Sequence, residues 1–127
     1  MTEQRVVLVT GSRRPVGDHA YNTILAALKA LRPTYVIVGD ANGVDATVRE
    51  MCRAAGVPFE VFQADWDGLG RAAGPERNER MAQRAAELMT TGGDATCAAF
   101  PDAASRGTWD CVKRAARYGL ASVVFPI

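Results

Sequence analysis

The sequence predicts an α/β fold, a three-layer Rossmann-like sandwich around a parallel sheet of about five strands. Short runs such as Val6-Val7-Leu8-Val9 and Tyr35-Val36-Ile37-Val38 are apolar throughout and too brief for helices, as strands buried on both faces are. Segments of helical periodicity separate these runs, which is the rhythm of βαβ units. The first two runs also end in small-residue turns, Thr10-Gly11-Ser12-Arg13-Arg14 and Gly39-Asp40-Ala41-Asn42-Gly43-Val44-Asp45, each expected to feed a helix. Free N–H groups at a helix N-terminus form a cradle for an anion, so such turns are candidate phosphate sites.

The first turn opens a helix with Asp18 as its expected N-cap and Tyr21, Ile24, Leu25, Leu28 and Leu31 at helical spacing. Arg32-Pro33 should end it, because the residue before proline is pushed out of the α region. The second helix carries Val44, Val48, Met51 and Ala55 on its apolar side and stops at Gly56. Residues 58–62 read as a third strand. Residues 63–75 then break the rhythm as a long loop around Asp65-Trp66-Asp67, and so long a loop in a small domain is more often functional than idle. A helix is expected from Pro75 through Leu88, favoured by proline in a first turn. Residues 94–100 form a fourth strand, followed by a helix bearing Trp109, Val112 and Ala116 that stops at Gly119, and by a last strand over 120–125.

Composition bounds the function. At 127 residues and 48% hydrophobic content the chain reads as one domain, 1–127, with a single core. A net charge of +1 gives no field for gripping a long phosphate backbone, so nucleic acid is a disfavoured partner. No apolar run approaches the roughly 20 residues that span a bilayer, so no membrane partner is expected. Met1-Thr2-Glu3-Gln4-Arg5 lacks the layout of a signal peptide, which makes the cytoplasm the expected compartment. Cys52, Cys97 and Cys111 are odd in number and widely spaced, and read as buried fillers rather than a disulfide framework. With His19 the single histidine, no metal cluster is expected, and no resident cofactor is implied, since neither a Gly-x-Gly-x-x-Gly nor a Gly-Lys-Ser/Thr pattern occurs.

Open parallel sheets bind ligands outside the carboxyl ends of their strands. That rule predicts one cleft built from loops 11–14, 39–45, 65–77 and 101–110. Arg13, Arg14, Arg71, Arg77 and Arg106 all fall on those loops, and arginine's planar fork suits phosphate. Lys29, Arg32, Arg53, Arg84, Arg114 and Arg117 fall near helix C-termini instead, away from the cleft. Asp45 and Asp110 lie in first helical turns, where a carboxylate is favoured anyway; their functional alternative is to accept ribose hydroxyls or serve as acid or base at a glycosidic bond. Trp66 either stacks on a base or anchors its loop. Ser12 and Ser105 lack a neighbouring histidine, which argues against serine-hydrolase chemistry.

An ordered set of motifs resembles a known family. Val9-Thr10-Gly11-Ser12-Arg13, Gly39-Asp40-Ala41-Asn42-Gly43-Val44-Asp45, Ala64-Asp65-Trp66, Gly74-Pro75 with Arg77-Asn78 and Met81, Ala99-Phe100-Pro101 and Ser105-Arg106-Gly107-Thr108 together look like the YspA-type (YpsA-related) branch of the SLOG superfamily. The resemblance implies a Rossmannoid domain that binds a nucleotide or a nucleotide-derived, ADP-ribose-like ligand. Gly11, Ser12, Arg13 and Ser105, Arg106, Gly107, Thr108 would then hold phosphate, and Asp45 or Asp110 ribose. Gly39, Asp40, Gly43, Trp66, Arg77, Asn78 and Pro101 would complete the binding set.

The superfamily's LOG phosphoribohydrolases carry an Arg-Lys-x-x-Met motif similar to Arg77-Asn78-Glu79-Arg80-Met81, and a Pro-Gly-Gly-x-Gly-Thr-x-x-Glu motif similar to the segment ending Arg106-Gly107-Thr108. Here Ala104-Ser105 replaces the glycine pair, and Cys111 stands where the catalytic glutamate would be, with Asp110 one residue earlier. A sensor or binding module is therefore the leading expectation. The alternative is N-glycosidic hydrolysis of a nucleoside monophosphate, with Arg77 and Asp110 as the catalytic pair and Asp45 as the other acid–base candidate. A DNA-processing role akin to the superfamily's Smf/DprA-like members is a third reading, against which the near-neutral charge weighs. Trp109 and the apolar sides of the short helices leave room for a homo-oligomer.

Overall fold

The computed structural model describes residues 4–127. Five parallel strands, β1 (Arg5–Gly11), β2 (Tyr35–Gly39), β3 (Phe59–Phe62), β4 (Asp94–Phe100) and β5 (Ala121–Val124), form one sheet in the order β3-β2-β1-β4-β5. The chain steps outward from β1 through β2 to β3, then returns to place β4 on the other side of β1. The order therefore reverses between β1 and β4, which pair along their length from Arg5↔Asp94 to Gly11↔Phe100. A crevice opens at such a switch point because the flanking connections leave in opposite directions.

Alternation along β1 divides the core. Val7 and Val9 face α1 (Asp18–Leu31) and α2 (Val44–Ala55), packing with Ile24, Leu28, Val48 and Met51. Val6 and Leu8 face the other layer, α4 (Ala73–Thr90) and α5 (Arg106–Arg117), packing with Met81, Ala85, Cys97, Cys111 and Ala115. The three cysteines are free thiols within these layers, as small fillers should be. Among the described residues no helix is long and apolar enough to cross a membrane.

Several local expectations are corrected. The turn after β1 does not open a helix at once: residues 12–17 intervene, and Asp18 is the first helical residue of α1, with Gly17 as an N-cap that makes no side-chain bond. Arg32 does stop α1, in a left-handed conformation (φ 51°), and Gly56 stops α2 at φ 70°. Tyr21 and Ala55 turn outward, and Ala27 and Cys52 take the buried places beside Leu28 and Met51.

Residues 63–75 are mostly helical rather than a loop. A single turn, α3 (Trp66–Leu69), is capped by Asp65, whose carboxylate accepts from the Gly68 N–H at 3.0 Å. A 3₁₀ turn (Gly70–Ala72) leads into α4, which starts two residues before Pro75. On α5 the buried residues are Thr108, Cys111 and Ala115, whereas of Trp109, Val112 and Ala116 only Val112 is half-buried against the same core. Both sets share one spacing, offset by one residue or about 100° of helix. The smaller side chains let α5 close onto the sheet, and Trp109 stays 44% exposed.

Candidate functional site

A cavity of about 290 Å³ lies at the carboxyl ends of β1 and β4. Its walls are the β1 exit (Thr10, Gly11, Ser12), Asp45 at the start of α2, Arg77 and Asn78 on α4, and the segment from Asp102 to Asp110. The first turns of α2, α4 and α5 thus converge on one hollow, while α1, displaced by residues 12–17, contributes nothing to its lining.

One wall is a buried charge cluster. Arg77 is almost fully buried and donates from Nη1 to Asp40 Oδ1 at 2.7 Å and from Nε to Asn78 Oδ1 at 3.2 Å. Asp45 is buried beside it and accepts from the Ala41 N–H at 3.3 Å. Burial raises the Asp45 carboxyl to about 6, outweighing the opposing pull of the Arg77 guanidinium. Gly39 makes the cluster fit: a Cβ there would stand 2.5 Å from Arg77 Nη1 and 2.6 Å from Asp45 Oδ2.

On the far side Asp110 accepts from Asn78 Nδ2 at 3.0 Å and from Arg114 Nε at 2.9 Å. Burial pushes the Asp110 carboxyl up, but hydrogen bonds and charge from Arg114, with Asn78, bring it below its usual value. Arg114 also donates to Glu79 at 2.9 Å, and Glu79 in turn accepts from the Tyr118 hydroxyl. Asp110 is thus a fixed, ionised group, whereas Asp45 is the carboxyl poised near neutrality.

The connection between β4 and α5 folds around Asp102. Its carboxylate accepts from Ser12 Oγ at 2.6 Å, Ser105 Oγ at 2.8 Å and the Ala104 N–H at 2.9 Å, with Arg14 Nε at 3.5 Å. The Ser12 hydrogen bond leads these in holding the carboxyl down to about 2. Both serine hydroxyls expected to hold phosphate are therefore spent on an internal carboxylate.

The free donors lie one step further on. The Arg106 N–H turns back to the Ala104 carbonyl at 3.0 Å, but among the described residues no acceptor meets the N–H of Gly107 or Thr108. Thr108 Oγ1 is also buried without a hydrogen-bond partner, and Thr108 lines the cavity. A buried hydroxyl with no partner is costly, and Thr108 Oγ1 is the one such side-chain atom among the described residues.

The rim is cationic. Arg13, Arg14 and Arg106 are exposed and line the cavity mouth. Arg13 lies over the Trp66 ring, 5.0 Å from its centroid. A second hollow of about 220 Å³ opens there between Arg13, Asp40, Ala41, Asn42 and Trp66, sharing Arg13 and Ala41 with the first.

Gly11, Ser12, Arg13, Asp45, Arg77, Asn78, Ser105, Arg106, Gly107, Thr108 and Asp110 are thus brought together as the sequence suggested. Others have different work. Pro101 is buried beneath the loop, its carbonyl accepting from the Ile127 N–H at 3.0 Å. Gly43 is needed for its positive φ of 72° and because a Cβ would stand 2.4 Å from the Ser12 carbonyl oxygen. Arg77 sits in α4 rather than on a loop, Arg71 does not line either hollow, and Arg114 borders the site through Asp110. Asp102 was missed; its signal was an aspartate followed by small residues before a helix, the pattern of an Asx turn. No protein-family model matches this sequence, and no curated protein matches it either.

Proposed function

We propose that the protein binds a nucleotide or nucleotide-derived small ligand at the carboxyl edge of its sheet, as a sensor or binding module, with the phosphate on the first turn of α5. The observation that carries this reading is the unpartnered Thr108 hydroxyl beside two free N–H groups, under a rim of three arginines. Helix dipole, amide donors and guanidinium charge act in the same direction there, toward an anion. About 290 Å³ is near the lower end of the roughly 300–1,000 Å³ usual for ligand sites, which suits a ribose phosphate whose remainder extends outward. Asp45 and Asp110 offer carboxylate acceptors for ribose hydroxyls. The motif likeness to SLOG domains accords with the same reading.

Calorimetry against AMP, GMP, CMP, UMP and ADP-ribose tests it. Hydrogen bonds to charged groups contribute about 1.5–3 kcal/mol, so Arg106→Ala is expected to weaken binding roughly tenfold or more. Absence of binding by every compound, or unchanged binding in both Arg106→Ala and Thr108→Val, would overturn the proposal. Arg77→Ala is a poorer probe, because it strips the counter-charge from Asp40 and Asp45.

One observation favours hydrolysis as a second reading: a buried carboxyl held near pH 6 is suited to general acid catalysis. The acid would then be Asp45 rather than Asp110, which is ionised and locked to Arg114. Free base released from a nucleoside monophosphate by the wild type and not by Asp45→Asn would support it, and no release above a protein-free control would exclude it.

A further inference from the structure

The hollow beneath Trp66 has a chemistry distinct from the phosphate cavity. Trp66 stands at the first position of α3, 45% exposed, with its ring edge set against Gly74, where an added Cβ would lie 3.4 Å from Cη2. The short helix is held by its Asp65 cap, so the indole is presented on a fixed support. Arg13, an exposed side chain that forms no ion pair among the described residues, lies over its face. An exposed cation–π contact of this kind is weak and readily exchanged. The hollow is also lined by Asp40, anchored by Arg77 and by the Ala64 N–H at 3.3 Å, and by the exposed Asn42.

We propose that this hollow is the nucleobase subsite of the same ligand: the base stacks on Trp66 in the place that Arg13 now occupies. Arg13 lines both hollows, so leaving the indole frees its guanidinium for the phosphate in the adjoining cavity. One side-chain movement thus couples recognition of the base to recognition of the anion. The Asp40 carboxylate disfavours a second phosphate in this hollow and accepts from N–H groups on a base edge, while the Asn42 amide offers both a donor and an acceptor. An indole face is a sequence-tolerant platform for any base, and purines present the larger surface to it.

This inference rests on the phosphate reading, and the experiment separates the two. Binding of AMP, ribose 5-phosphate and inorganic pyrophosphate is measured by calorimetry with wild type and Trp66→Ala. Emission of Trp66 is followed in a Trp109→Phe background, Trp109 lying outside both hollows. Base–aromatic stacking measured by alanine substitution corresponds to roughly 5- to 150-fold in affinity. AMP is therefore expected to bind more tightly than ribose 5-phosphate by about that factor, to lose the advantage in Trp66→Ala, and to quench Trp66. Equal affinities for AMP and ribose 5-phosphate, both insensitive to Trp66→Ala, would overturn the base subsite and leave the phosphate site standing. Quenching by pyrophosphate or ribose 5-phosphate equal to that by AMP would overturn it as well, by placing an anion on Arg13 instead of a base on the indole. Failure of all three compounds, and of every other nucleotide, to bind would remove both proposals.

Discussion

Replacing Asp45 by asparagine should stabilise the protein at neutral pH and leave it unchanged in acid. The folded state raises this carboxyl from 3.8 to about 6, because burial penalises its charge more than Arg77 and the Ala41 N–H relieve it. Between those two values the folded protein binds a proton that the unfolded chain has already released. Stability contributed by this group therefore falls as pH rises from 3.8 to about 6 and then stays lowered. A shift of that size corresponds to about 3 kcal/mol, at 1.36 kcal/mol per pH unit. Asparagine keeps a carbonyl oxygen for the Ala41 N–H but carries no charge to bury. Urea unfolding of wild type and Asp45→Asn from pH 4 to pH 8 should give curves that meet near pH 4 and diverge by up to about 3 kcal/mol above pH 6. Taking the difference cancels the opposite slope from the lowered carboxyls Asp102, Asp110 and Glu79, whose contributions are lost as pH falls. Parallel curves across the whole range would refute the reasoning, since Asp45 would then carry its charge without a burial penalty.

Three further outcomes follow from the same geometry. Thr108→Val removes an unpartnered buried hydroxyl while keeping its shape, so thermal unfolding should show the free protein stabilised by about 1 kcal/mol even as nucleotide affinity falls. Gly43→Ala brings a Cβ against the backbone oxygens of Ser12 and Arg14 at a positive φ, and denaturant titration should show destabilisation of about 1–3 kcal/mol. Ser12→Ala removes the leading hydrogen bond on Asp102, so carbon-detected NMR titration should find that carboxyl raised from about 2 toward its ordinary 3.8. An unmoved Asp102 would show that Ser105 and Ala104 alone suffice to hold it.

Much of the frame was legible because strand chemistry and chain punctuation are local. The β4 limits, the stops at Arg32 and Gly56, and the gathering of small-residue loops at one sheet edge all follow from neighbouring residues. The errors fall where long-range packing decided. Trp109 looks like part of a helix's buried side, yet α5 turns its smaller Thr108, Cys111 and Ala115 inward so that it can sit close to the sheet. Residues 66–72 look like a loop because of their glycines, but the Asp65 cap and the adjoining α4 draw them into helical turns. Gly39 and Gly43 suggest contact with a ligand, whereas each makes room for another part of the chain.

The sequence by itself determined a parallel sheet, its breaks, and which loops share an edge, since apolar run length, β-branching and glycine placement act through the nearest residues. Tertiary structure alone decided what three chemically identical aspartates become. Asp45 is buried and raised to about 6, Asp102 is wrapped in donors and lowered to about 2, and Asp110 is held ionised by Arg114 and Asn78. A carboxyl's charge depends on the water excluded and the donors assembled around it, and those come from segments distant in the chain.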